Sequence, residues 1–418
     1  MQLNLNKENI KIVTDKIIIV FLLIQIFSVS FSIALSSIAF GIWGGLWIIQ
    51  IIASRKAGIP EIISKDVKLI SVFILLFFIS DFISLYFAVI PEGAFIGLKR
   101  FLLYMIFFAM IAKIKDKETL MKLITVILIV FTAISVYEII LYVFKFPEEA
   151  KTQDISLIRL YSFAFFLTTA EMKMLVFVTL FPLLFIRERI FIQKKYLIIS
   201  LSIIFVAMYL TQSRNVFLSL IICSLIFGLF INKKFLIYLL IFVTAVLLVI
   251  PSQFRSRITS IVDPAHPSNA SRLIMWGVGW QMFKDHPFTG VGDNEITQVY
   301  KMYKQPEFHG EGSHLHSNYF MVLATKGIFG LIFFIAVFFT LFLKHFKYFK
   351  NTKDKSERYL IFGCILSMIS FHISGIFEWI YGDWEVLTLF LFIVSIPFVL
   401  YNLNNLKEPQ SENNNLKT

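Results

Sequence analysis

Apolar runs of about twenty residues alternate with short polar connections along most of the chain, and one long polar stretch interrupts them. At helical rise such runs match the thickness of a bilayer core. Twelve spans are predicted, roughly 17–35, 37–53, 69–89, 98–113, 120–143, 166–186, 196–212, 215–232, 235–251, 318–343, 359–379 and 384–402. The first two are expected to form a tight hairpin at Ser36-Ser37. The interruption runs from Pro251 to Ser317 and holds five of the seven histidines: His266, His286, His309, His314 and His316. The expected fold class is therefore an all-α polytopic membrane protein with one large loop carrying short helices. Nine spans fall in 1–250, the loop in 251–317, three spans in 318–402, and a disordered tail in 403–418.

Composition agrees with this layout, since 58% of the chain is hydrophobic and 16% charged. No cleavable leader is expected, because a polar, lysine-bearing tail precedes the first of many spans. The net charge of +12 would suit nucleic acid, but most lysines fall in short loops between spans, so no nucleic-acid partner is expected. Lysines and arginines concentrate in alternate connections, at Arg55/Lys56, Lys113–Lys122, Arg187–Lys195, Lys233/Lys234 and Lys344–Arg358, on the side of Lys7, Lys11 and Lys16. Both termini are thus expected in the cytoplasm and the long loop outside it. Asp81, Lys99, Arg100, Glu138, Glu171, Lys173, Arg214, Lys326 and Glu378 fall in or beside spans, mostly toward the outer side. Ionisable groups there usually line a polar cavity, and snorkelling to the interface is the plainer alternative. Cys223 and Cys364 lie in apolar runs and serve as small buried hydrophobes.

Candidate chemistry collects around the long loop. Arg214, with Thr211 and Ser213 beside it at a turn between two spans, suits a phosphate, although an arginine can simply end a span. Arg272 is expected to open a short helix capped by Ser268, Asn269 or Ser271 and stopped at His286-Pro287. Met275, Trp276, Met282 and Phe283 would share one face, on the membrane surface or the bundle top. Arg272 and Trp276, one turn apart, could then meet a lipid-linked head group. His314 and His316 are too closely spaced for a helical zinc pair, and no cysteine or close carboxylate triplet accompanies them. The nearby His309 and Glu311 are expected to be flexible, so no metal is expected. His316, just before a span, suits a general base or a structural hydrogen bond. Gly290-Val-Gly292 reads as a tight turn and nothing more.

Three pieces together resemble the O-antigen ligase and polymerase family of bacterial envelope glycosyltransferases. They are Arg214 to Leu218, Ser271-Arg-Leu-Ile-Met-Trp276 leading to His286-Pro-Phe-Thr-Gly-Val-Gly292, and His316-Ser317 followed after nine residues by Gly327-Ile-Phe-Gly330. The resemblance implies a GT-C-type fold, no cofactor, and transfer of a glycan from undecaprenyl diphosphate at the outer face of the bacterial cytoplasmic membrane. On its terms Arg214 and Arg272 would bind the diphosphate, His316 would assist the acceptor hydroxyl, and Glu378 would match an acidic position of the family. His314, Trp276, Lys99 and Arg100 are further candidates for glycan or lipid phosphates. The histidine-to-glycine spacing favours a ligase acting on lipid A-core over a polymerase of the same lipid-linked chains. A twelve-span transporter or flippase is the remaining alternative, disfavoured because the two halves show no repeat.

Overall fold

In a bilayer the backbone must satisfy its own hydrogen bonds, and an apolar run does so as a helix. The structure, a computed structural model, describes residues 2–54, 64–92, 94–152, 158–160, 162–188, 190–249, 263, 267–305 and 314–405. Among them there is no strand. The helices are α1 (Gln2–Ser28), α2 (Ile33–Ser54), α3 (Lys68–Tyr86), α4 (Tyr104–Lys113), α5 (Lys117–Thr152), α6 (Phe166–Leu180), α7 (Lys194–Leu210), α8 (Arg214–Phe230), α9 (Lys233–Val249), α10 (Pro267–Asp285), α11 (Ile296–Tyr303), α12 (Asn318–Asn351), α13 (Lys355–Phe377) and α14 (Trp384–Asn405). A 3₁₀ segment, Ala94–Leu103, leads into α4, and another, Phe181–Phe185, extends α6. His266, His309 and Glu311, like Arg55, Lys56 and residues 406–418, lie outside the described residues.

Among the described residues seven helices, α2, α3, α5, α6 with its extension, α12, α13 and α14, are long and apolar enough to cross a membrane. The other five predicted spans are also helical but shorter or more polar. Seventeen residues each in α7, α8 and α9 reach only about 25 Å at helical rise. The predicted span 98–113 is divided between 3₁₀ segment and α4, and α1 carries Lys11, Asp15 and Lys16. α14, α6 with its extension and α13 form the centre, with 89%, 78% and 72% of their apolar windows buried, against 33% for α2.

Two sequence expectations shift. The first hairpin turns at 29–32 rather than at Ser36-Ser37, because Ser32 Oγ accepts from the Leu35 backbone N–H and starts α2 there. The helix holding Arg272 begins earlier, at Pro267, so Ser268, Asn269 and Ser271 sit inside its first turns. Pro at the first helical position needs no hydrogen-bond partner for a missing N–H. Its Met275, Val278 and Met282 are buried against α12, so that face lies on the bundle top.

Gly290-Val-Gly292 does more than turn. α12 breaks at Gly327, whose φ of 65° and ψ of −169° belong to a region open essentially to glycine alone. The break frees two carbonyls, and the loop after α10 takes them: Val291 N–H donates to Ala324 O and Gly292 N–H to Thr325 O, both at 3.0 Å. In return Ile328 N–H donates to Pro287 O at 2.9 Å. A Cβ at Gly327 would lie 2.5 Å from the Phe288 carbonyl carbon, and one at Gly290 2.2 Å from that of Thr325. Gly327→Ala is therefore expected to lower the melting temperature of the purified protein sharply, since a steric clash adds to a backbone penalty of about 1–3 kcal/mol.

The buried charges pair with one another. Lys326 bonds Asp81 and stands 3.3 Å from Asp293, and Lys173 meets Glu138 at 2.5 Å; all five side chains are 6% exposed or less. Neither lysine can reach water, so each carboxylate is what keeps its ammonium in place. Lys326→Ala is expected to cost about 3–5 kcal/mol by stranding the Asp81 carboxylate. Adding Asp81→Asn to that variant should recover part of the loss in denaturant titrations.

Candidate active site at the last turn of α13

One helical turn, Ser374 to Glu378, gathers the candidate residues. α13 ends there because Glu378 takes an extended backbone, φ −147° and ψ 154°. The last carbonyls of a helix have no partner within it. Arg272 Nε donates to one of them, Phe377 O, at 2.9 Å. Ser317 Oγ reaches another, Gly375 O, at 3.5 Å, while also capping α12 by accepting from Phe320 N–H. Gly375 is small enough for Asn318, which would stand 2.2 Å from a Cβ there. The start of α12 and the first turns of α10 are thus both fixed to the same turn.

His316 precedes that cap in a left-handed conformation, φ 45°, which a non-glycine residue adopts only when its surroundings hold it there. Its Nδ1 lies 2.8 Å and 3.0 Å from the two oxygens of Glu378. An ionised carboxylate can only accept, so Nδ1 carries a proton, and in the neutral ring Nε2 is the nitrogen with the free lone pair. Glu378 is buried, which pushes its pKa up, but the His316 hydrogen bond and the neighbouring His316, His314 and Arg272 outweigh burial and hold it below the ordinary range. Arg272 Nη2 stands 3.7 Å from the same carboxylate.

The two arginines meet at one hydroxyl. Arg214 is the first residue of α8, and its Nη2 donates to Ser268 Oγ at 2.9 Å and Asn269 Oδ1 at 3.4 Å. Arg272 Nη1 donates to the same Ser268 Oγ, also at 2.9 Å. Two guanidinium groups sharing one neutral oxygen repel each other, and the positive end of α8 adds to their field. An anion placed against both would relieve that repulsion and gain bidentate hydrogen bonds. Trp276, one turn beyond Arg272, stacks on Phe320 of α12 with rings 5.2 Å apart and 9° from parallel.

His314 lies beside this pair, its ring 4.0 Å from that of His316. Burial chiefly, then His316 and Arg272, lower its pKa from 6.5 to about 4 against the pull of Glu378. The unfolded chain therefore binds this proton first as pH falls, and stability drops between pH 6.5 and about 4. Glu378 acts in the same direction as pH falls through its lowered pKa. Melting temperature is expected to fall over that window, and less steeply in His314→Gln.

Glu378 also supplies the carboxylate that the sequence did not place beside these histidines. Donor atoms of His314, His316 and Glu378 lie within 4.8 Å of one another, close enough to hold a metal ion. Arg272 competes for the same carboxylate, and a second cation would add to the charge of both arginines. The field favours an anion.

The other candidates stand apart. Arg100 pairs with Asp293 at 3.1 Å and lies over Trp379, its guanidinium carbon 5.5 Å from the ring centre. Lys99 is exposed on the 3₁₀ segment. Ser374, Asn215 and Asp293 were not foreseen, and Ser268 was expected only as a helix cap. They are short polar residues whose only signal is position next to an element end, and many such residues do no more than cap.

The segment that holds both arginines, both histidines and the Gly327 break is also the segment that a family model matches. No curated protein matches the chain. Residues 197–335 match the family model described as O-antigen ligase, which supports assigning this multi-pass membrane protein to the O-antigen ligase and polymerase family.

Proposed function

We propose that the protein transfers a glycan from undecaprenyl diphosphate to a sugar hydroxyl at the periplasmic face of the bacterial inner membrane. The observation that carries this is that Arg272 and the His316–Glu378 pair meet at one turn of α13, with Arg214 joined to Arg272 at Ser268 Oγ. In this reaction the acceptor oxygen attacks the anomeric carbon and the carbon–oxygen bond to the diphosphate breaks. His316 Nε2 takes the hydroxyl proton, and Glu378 stabilises the imidazolium that forms. The departing diphosphate keeps the bonding electrons, and its charge is met by the two guanidinium groups. Attack opposite the leaving group inverts the anomeric centre. With the arginines in that role no divalent ion is needed, so chelator should leave the rate unchanged.

The acceptor we favour is lipid A-core, making the protein a ligase. What supports this is the spacing from His316-Ser317 over nine residues to Gly327, which resembles the ligase signature. Extension of the same lipid-linked chains, the polymerase reaction, uses the same donor. Deletion in the host followed by gel analysis of envelope polysaccharide separates them. Loss of all capped lipopolysaccharide with accumulation of lipid-linked polymer means ligase, and capping by single repeats means polymerase. Transfer by purified protein without nucleotide or ion gradient excludes a transporter.

A further inference from the structure

Beneath the site lies a buried carboxylate that the transfer chemistry does not use. Glu171 sits in α6, 0% exposed. Its Oε1 accepts from Asn215 Nδ2 and from Ser374 Oγ, each at 3.0 Å. Asn215 Nδ2 also donates to Ser374 Oγ at 2.7 Å, and Asn215 Oδ1 accepts from Ser213 Oγ at 2.5 Å. Glu171 Oε2 has no hydrogen-bond partner among the described residues. Three helices, α6, α8 and α13, therefore meet in one polar knot inside an apolar bundle.

Its members stand next to the proposed machinery. Asn215 follows Arg214 by one peptide bond. Ser374 begins the turn that Glu378 ends, and its carbonyl accepts the Glu378 backbone N–H at 3.0 Å. An apolar side chain would fill this space without the cost of burying a carboxylate with one oxygen unmatched. A polar knot instead fixes one arrangement, because each helix can satisfy its group only at the right height and rotation. We infer that Glu171 is a positioning residue: through Asn215 and Ser374 it holds the start of α8 and the end of α13 in register, and so sets Arg214 relative to the His316–Glu378 pair. This rests on the transfer function proposed above.

The test compares Glu171→Ala, Glu171→Gln, Ser374→Ala and His316→Ala in purified full-length protein, with melting temperature measured beside kcat and KM for a polyprenyl diphosphate-linked donor. A displacement of about 1 Å at a reacting group can lower the rate about a hundredfold. Glu171→Ala is therefore expected to lose kcat on that scale, with a smaller change in KM. Glutamine keeps the accepting oxygen, so Glu171→Gln should recover kcat to within about fivefold, while Ser374→Ala, which cuts one arm only, loses about tenfold. A folded Glu171→Ala or Ser374→Ala with wild-type kcat overturns the inference, as does Glu171→Gln as impaired as the alanine variant at equal melting temperature. Should Glu171→Ala fail to fold, Ser374→Ala decides alone. Wild-type activity in His316→Ala would overturn the transfer chemistry itself, whereas an inactive His316→Ala beside fully active knot variants sinks only the positioning role.

Discussion

His316→Ala is expected to lower kcat for glycan transfer by about 10²–10⁴-fold, the usual contribution of a positioned general base. Nε2 is the only ring nitrogen available for the acceptor proton, since Nδ1 is committed to Glu378 at 2.8 Å. Folding should survive, because the capping of α12 depends on Ser317 Oγ and not on the imidazole. Glu378→Gln tests the other half of the pair. An amide can donate to Nδ1, which would put the proton on Nε2 and leave no base facing the acceptor, so kcat should fall although the shape is kept. Because the two groups act as a unit, the double variant His316→Ala/Glu378→Gln should be little worse than His316→Ala alone. Multiplying losses would show that the carboxylate acts by a separate route.

The second large effect is at Arg214. Removing its guanidinium should cost about 10²–10³-fold in kcat, as loss of one preorganised donor to a developing negative charge does. Arg214→Lys should recover little, because a single ammonium cannot reproduce the fork that bonds Ser268 Oγ and Asn269 Oδ1 and would face the diphosphate. Arg272 differs in kind. It also ties α10 to Phe377 O at 2.9 Å, so Arg272→Ala should lower melting temperature together with activity. Steady-state rates read beside thermal melts separate the two arginines.

How far the sequence alone reaches depends on which force places a residue. Apolar run length marks most of the helices, because hydrocarbon leaves the backbone no other way to satisfy itself. It fails at residues 98–113, where Arg100 is drawn to Asp293 and the chain runs as a 3₁₀ segment before α4, and at Ser36, which is buried inside α2. Arg214, Arg272 and His316 stand out in sequence as polar residues at the ends of apolar runs. The meeting of Arg272 and His316 on Ser374–Glu378, and of Arg214 with Ser268, is long-range and leaves no local signal: Arg272 and Phe377 are 105 positions apart, His316 and Glu378 are 62, and Arg214 and Ser268 are 54. Gly290-Val-Gly292 was underestimated for the same reason. Its purpose is visible only beside the α12 break at Gly327, a position that the sequence marks as part of a motif within an apolar run but not as a break. The buried charges were found, but their pairing into Lys173–Glu138 and Lys326–Asp81 needs the helices side by side.

The central claim is that Arg214 and Arg272 hold one diphosphate within reach of His316. An experimental structure of the protein loaded with an undecaprenyl diphosphate-linked glycan measures this directly. The expected density places the diphosphate in hydrogen-bond contact with both guanidinium groups, with the anomeric carbon on the side of His316 Nε2. Diphosphate density bound elsewhere, with Arg214 and Arg272 still joined only through Ser268, would contradict it.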